Sequence, residues 1–167
     1  MIKDSGDRTE FSSGAVRDRK GGNGRCDLLP LAVIASIYKD DRYGVLTALD
    51  LLHSTGAIDP LVRACRMFCE GTAILNTHGE FGNMETAILE LAIHFEEGAQ
   101  KYEARNWEKG IPISSFVSSG IRHYLKYMRG DNDERHDRAF LWNMVCLLWT
   151  LENHSEMNDF TIKESES

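Results

Sequence analysis

Helical spacing runs through this chain almost uninterrupted, and its breaks fall where helices begin or end. The 167 residues hold only three prolines. Pro30 can occupy the first turn of a helix over residues 28–38, where its missing N–H costs nothing. Pro60 follows Asp59, a good cap, and opens a helix over 61–75. Pro112 lies in the loop GIPISS, after which Ser114 or Ser115 can cap a helix over 115–129. Residues 43–53 read as a further short helix, and 85–107 and 131–152 as two long ones. No stretch alternates apolar and polar residues with β-branched enrichment, so no strand is expected. The pattern predicts an all-α fold.

The two ends are polar and charged, so residues 1–11 and 155–167 are expected to be mobile around a single domain at 12–154. Within that domain, residues 12–27 carry Gly14, Gly21, Gly22 and Gly24 among Arg17, Arg19, Lys20 and Arg25, and read as irregular. A net charge of −7 argues against non-specific nucleic-acid binding. No apolar run approaches the span of a bilayer, and MIKDSGDRTE is too charged for a signal peptide. Cys26, Cys65, Cys69 and Cys146 lack metal-site spacing and read as reduced thiols. The expected compartment is the cytoplasm, of a host cell if the chain is phage-encoded.

Helix phase brings the charged residues into play. Along 85–107, Leu91, Phe95, Ala99 and Tyr102, with Ile88 close by, form the stripe expected to face the core. Glu90, His94, Glu97 and Lys101 form a second line about a quarter turn away, and Glu96 lies beyond the apolar stripe. Taken alone, that line reads as a solvated face with an ordinary Glu97–Lys101 pair. Along 131–152, Leu141, Val145 and Leu148 mark the inward side, and one and two turns back on it stand Asp137 and Glu134. Carboxylates on a buried side need a partner, a proton or a cation; the plain alternative is an exposed helix start whose acids favour its dipole. The helix between carries Arg122, Lys126 and Arg129 along one side, with His123 beside them. Three cations next to an acidic site suit a polyphosphate; a solvated basic face is the plain alternative.

Three stretches, FSSGAVRDRKGGNGRCDLLPL, EEGAQKYEARNWEKGIP and SGIRHYLKYMRGDNDERHDRAFLWN, resemble the phage and bacterial dATP/dGTP diphosphohydrolase family, MazZ-like enzymes within the MazG-like all-α pyrophosphohydrolases. The resemblance covers somewhat under half of the chain, and the pairing of KYEARNW with DERHDRAFLWN is its most specific part. It implies a MazG-like helical bundle, commonly oligomeric, that uses Mg²⁺ or Mn²⁺ to cleave a deoxynucleoside triphosphate into monophosphate and pyrophosphate. The implied substrate is dGTP, with dATP second, in a phage pathway that replaces adenine by 2-aminoadenine. Glu134-x-x-Asp137 fits the family's second acidic pair; on the first helix Glu97 is preferred as ligand, then Glu96, then Glu90.

These readings combine into a set of expectations. Glu97, Glu134 and Asp137 hold the cation, Glu96 takes a proton, and Lys101, Arg122 and Lys126 balance the leaving pyrophosphate. Arg17 and Arg25 meet phosphate, while Tyr102, Asn106, Trp107 and Asn143 complete the substrate-binding set. His123 and His136 stay open between phosphate contacts, carboxylate partners and structural histidines. Two other readings remain: a phosphohydrolase built on His123, His136 and Asp137, and a non-catalytic helical phage protein that binds nucleotide or a partner. A homo-oligomer is expected because Trp142, Met144, Leu147 and Trp149 spread apolar surface around the last helix.

Overall fold

In the computed structural model, residues 6–18, 22, 24–71 and 84–162 are described. A short antiparallel hairpin, β1 (Arg8–Glu10) and β2 (Val16–Asp18), precedes α1 (Leu31–Ile37), α2 (Val45–Thr55), α3 (Asp59–Gly71), α4 (Met84–Lys101), α5 (Ile113–Arg129) and α6 (His136–Asn153). Short 3-10 turns stand at Cys26–Leu28, Asn106–Lys109 and Ser155–Met157. The all-α expectation holds, with one departure: the hairpin pairs Arg8 with Asp18, Thr9 with Arg17 and Glu10 with Val16. Its strands are three residues long, too short for alternation to show, and tertiary hydrogen bonds described below hold them in place.

The core gathers Leu46, Leu49, Leu61, Phe68, Phe116, Tyr124 and Phe140, all buried to within 2%. Phe68 sets its edge against Phe140 at 4.7 Å and Tyr127 at 5.2 Å, fixing α3 against the α5–α6 pair. Helices α5 and α6 approach most closely where Gly120 leaves room for the Met144 methyl, which a Cβ would strike. Asp41 caps α2 by accepting from the N–H groups of Val45 and Leu46, each at 3.0 Å, and also takes the hydroxyl proton of buried Tyr124 at 2.8 Å. Gly130, at φ +86°, ends α5 in a left-handed turn whose N–H bonds Tyr127 O while Asp131 N–H bonds Lys126 O.

Three expectations need correction. The C-terminal segment packs against the bundle: Phe160 is buried against His53, Ile162 N–H bonds His53 O, and the Asp159 carboxylate accepts from both the N–H and the hydroxyl of Ser114. Asp159 therefore caps α5, and Ser114 lies inside the helix it was expected to cap. Second, α4 turns its polar line inward. Ala87 and Glu90 are its fully buried residues, while Ile88 is 57% exposed, Ala99 is exposed, and Leu91, Phe95 and Tyr102 are half-buried. Burial of Glu90 is possible because Arg138 and Arg135 neutralise it. Third, α6 begins at His136, five residues later than its sequence phase implies.

Candidate active site

A cleft of about 1690 Å³ opens between α4, α5, the first half of α6 and the β-hairpin. It exceeds the ~300–1,000 Å³ usual for small-molecule sites, so a nucleotide fits with room for water. One wall is aromatic: Phe95 stands 5.6 Å from Trp107 and 6.1 Å from Trp142. The lining also carries charge, with Arg122, His123 and Lys126 from α5 and Glu134 at the entry to α6. A cleft that combines a planar aromatic wall with cationic side chains suits a nucleoside polyphosphate.

Arg17 projects from β2 into this cleft. Its guanidinium lies 5.3 Å from the Phe116 ring centre and 5.5 Å from that of Trp142, and Nη2 donates to Asn143 Oδ1. Nη1 is buried and has no hydrogen-bond partner among the described residues. Burial lowers the Arg17 pKa from 12.5 to about 10, which leaves it charged at neutral pH. A buried cation with an unmet donor is costly.

The surroundings hold Arg17 in place. The Asn106 amide reads the backbone of β2 like a neighbouring strand: Val16 N–H donates to Oδ1 at 2.9 Å and Nδ2 donates to Val16 O at 2.7 Å. Lys101 donates to Asp18 Oδ2 at 2.5 Å, and Asp18 also bonds Arg8 at 2.8 Å. The Tyr102 hydroxyl accepts from Asp18 N–H, and burial raises its pKa to about 12. Thus Lys101 fastens the hairpin to α4 and does not line the cleft, and Asn106 lines it with its amide engaged on Val16. The Asn143 amide is engaged likewise, accepting from Arg17 and donating to Ala139 O at 2.7 Å. Asn106 and Asn143 therefore position Arg17 in place of the base contacts expected of them.

The acids divide differently from the sequence expectation. Asp137 is 6% exposed with both oxygens on Arg135, at 3.0 and 2.7 Å. Glu134 precedes α6, so the i, i+3 relation that would set it beside Asp137 does not apply. Its Oε1 lies instead 3.5 Å from Nδ1 of His123 and 3.5 Å from Nδ1 of His136. These two nitrogens are 3.0 Å apart, and His136 Nε2 stands 2.8 Å from Asp133 Oδ1. Glu97 is outside the cleft lining, close enough to His94 for its charge to act there, whereas Glu96 lies on the cleft wall. Arg25 is exposed, bonds Asp27 and does not line the cleft.

The cleft thus gathers Arg17, Glu96, Tyr102, Asn106, Trp107, Arg122, Lys126, Glu134 and Asn143, and leaves out Arg25, Glu97, Lys101 and Asp137. Sequence reasoning undervalued His123, His136 and His94. The signal for the first two was present in RHY and ERHD, but only the fold brings α5's end to α6's start. His94 faces Trp142 at 6.1 Å, and burial, opposed by the nearby Glu97 charge, lowers its pKa from 6.5 to about 4. The cysteines are free, with Cys65 and Cys69 buried and their thiols pushed up to about 12 and about 11. No helix among the described residues is long and apolar enough to cross a membrane.

What these elements define is a mainly helical protein with a large cleft of mixed charge. The family model described as dATP/dGTP diphosphohydrolase, N-terminal, matches residues 76–160, which span α4, α5 and α6 and make up just over half of the chain. The chain belongs to that family. Neither a curated protein nor a solved structure matches it significantly.

Proposed function

We propose that the protein hydrolyses a purine deoxynucleoside triphosphate, dGTP foremost and dATP second, to the monophosphate and pyrophosphate. Family membership supports the reaction, and the three cationic side chains that line the cleft, Arg17, Arg122 and Lys126, are the observation that carries the anionic ligand. Purine preference and a place in a phage 2-aminoadenine pathway rest on the sequence resemblance. In this reading the base lies on the aromatic wall of Phe95, Trp107 and Trp142. Its phosphates reach toward Arg17, Arg122 and Lys126, whose charges stabilise the pyrophosphate as the bond to the α-phosphorus breaks. A water oxygen forms the new bond to phosphorus, and its proton passes to Glu96, the α4 carboxylate on the cleft wall.

A divalent cation, Mg²⁺ or Mn²⁺ in the sequence expectation, supplies charge neutralisation and a more acidic water when bound. Of the three ligands expected for it, Glu134 lines the cleft and Glu97 does not; the two ring nitrogens beside Glu134 suit Mn²⁺ better than Mg²⁺. Asp137 does not fit, because Arg135 already neutralises it.

Incubation of the purified protein with each dNTP and Mg²⁺ or Mn²⁺, followed by anion-exchange chromatography, tests the proposal. The expected products are dGMP or dAMP with pyrophosphate in equal amounts. Release of orthophosphate or intact tripolyphosphate overturns the bond assignment, and nucleotide binding without turnover overturns the enzyme reading.

A further inference from the structure

We propose that His123, Glu134 and His136 form a binding site for one nitrogen-preferring divalent cation, of the Co²⁺ or Zn²⁺ class, in preference to Mg²⁺. The cation's part in turnover rests on the hydrolase reading above; the site itself does not.

Three ligand atoms converge there. Nδ1 of His123 and Nδ1 of His136 are 3.0 Å apart, and Oε1 of Glu134 lies 3.5 Å from each. For a triangle with sides of 3.0, 3.5 and 3.5 Å the equidistant point is about 1.9 Å from each corner, so a cation slightly above that plane meets all three at the ~2.0–2.2 Å of metal–imidazole and metal–carboxylate bonds. The three come from the second half of α5, the loop before α6 and the first residue of α6, elements of the same closely packed pair.

The hydrogen bonding around the site supports the same conclusion independently. Asp133 Oδ1 stands 2.8 Å from His136 Nε2, and a carboxylate there accepts a hydrogen bond from the ring N–H. In the tautomer that donates Nε2–H to Asp133, the His136 ring turns its Nδ1 lone pair toward His123 and Glu134. A carboxylate behind the far nitrogen of a ligating histidine is the arrangement that orients such ligands and raises their basicity. His136 is 2% exposed, so its lone pair cannot be satisfied by bulk water. Either His123 donates an Nδ1–H to it, or a cation occupies the shared centre; the nearby Glu134 charge favours the cation.

Donor chemistry sets the class. Two imidazole nitrogens and one carboxylate suit Zn²⁺, Co²⁺, Fe²⁺ or Ni²⁺, whereas Mg²⁺ prefers an all-oxygen shell. Three protein ligands also leave positions open for water or a phosphate oxygen, and the site lies on the cleft wall through His123 and Glu134. A second cluster, Asp131, Asp133 and His136, is the weaker candidate because Arg129 already holds both oxygens of Asp131.

The test uses the full chain, stripped of metal with EDTA, and Co²⁺ as the probe without nucleotide. Calorimetry and visible absorption should show one Co²⁺ per chain, displaced by Zn²⁺ but not by a ~100-fold excess of Mg²⁺. His123→Gln and Glu134→Gln should each weaken Co²⁺ binding at least ~10-fold, and Asp133→Asn by about 10–100-fold, with helical circular dichroism retained. Because altered ligands can disturb folding, the wild-type Co²⁺ form gives a second readout: paramagnetically shifted proton signals from two imidazole rings. Substoichiometric binding, equal competition by Mg²⁺, or unchanged affinity in His123→Gln overturns the site. Should Mg²⁺-dependent dNTP hydrolysis persist without Co²⁺ binding, only this site is rejected; tight Co²⁺ binding with no turnover rejects only the hydrolase reading.

Discussion

At the scale of single residues, two buried side chains carry charge properties that the fold imposes. His94 has a pKa near 4 against the ordinary 6.5, because burial disfavours its charged form. Below about pH 6.5 the unfolded chain takes up a proton there that the folded chain refuses until about pH 4. Stability from this group is therefore complete above pH 6.5 and declines as the pH falls through that window, by about 2–3 kcal/mol. Urea denaturation at pH 7 and pH 5 should show this decline, and His94→Gln should flatten it. Arg17 presents the opposite balance. Replacing it with Met removes a buried cation with an unmet donor, so the nucleotide-free protein should melt at an equal or higher temperature. The same change should raise KM for dGTP at least ~10-fold, about 1.4 kcal/mol of lost substrate binding. A lower melting temperature with unchanged KM would make Arg17 purely structural.

Among the elements, the hairpin depends most on others. Three-residue strands cannot stand alone in water, and this pair is held by the Asn106 amide on Val16 and by Lys101 on Asp18. Asn106→Ala should release it, at a cost of ~1–3 kcal/mol for stranded backbone groups. Hydrogen exchange of residues 8–18 should then speed up while α5 and α6 keep their protection; unchanged exchange would show that Asp18 alone anchors the strand. The starting point of α6 is the other decisive element property. With the helix beginning at His136, Glu134 belongs to the preceding loop and is free of helical phase, which is how it reaches both histidines. The sequence suggested an earlier start because Asp131, Asp133 and Glu134 all favour a helix N-terminus. Gly130 and the Arg129–Asp131 pair instead close α5 with a turn.

For the whole molecule, the distance between α5 and α6 determines the cleft. Gly120 allows Met144 to pack against α5, and a larger side chain would push the helices apart. Gly120→Leu should cost about 1–3 kcal/mol through overpacking, seen as a lower urea midpoint, and Gly120→Ala less, because the Met144 methyl can turn aside. The outward side of α4 exposes Ile88 and Leu89, at 57% and 68%, whereas Met144 and Leu147, two of the residues behind the homo-oligomer expectation, are fully buried within the chain. Light scattering should find at least a dimer, and Ile88→Lys should shift it toward monomer; a wild-type monomer at all concentrations overturns the expectation.

The sequence by itself determined the helical class and four of the six helices to within about four residues of their described bounds, because 3.6-residue periodicity and proline placement are local properties; α4 ends six residues earlier and α6 starts five residues later than expected. It also marked Glu134, Arg122, Lys126 and Arg17 as one functional group, and the cleft brings these together. It did not determine which stripe of α4 faces inward: apolar and polar lines stood a quarter turn apart, and the choice fell to Arg135, just before α6, and Arg138 in its first turn. Nor did it reveal that Asp137 would be neutralised by Arg135 while Glu134 turned to two histidines. Charge pairing across elements is a matter of distance in space, and only the packed bundle sets that distance.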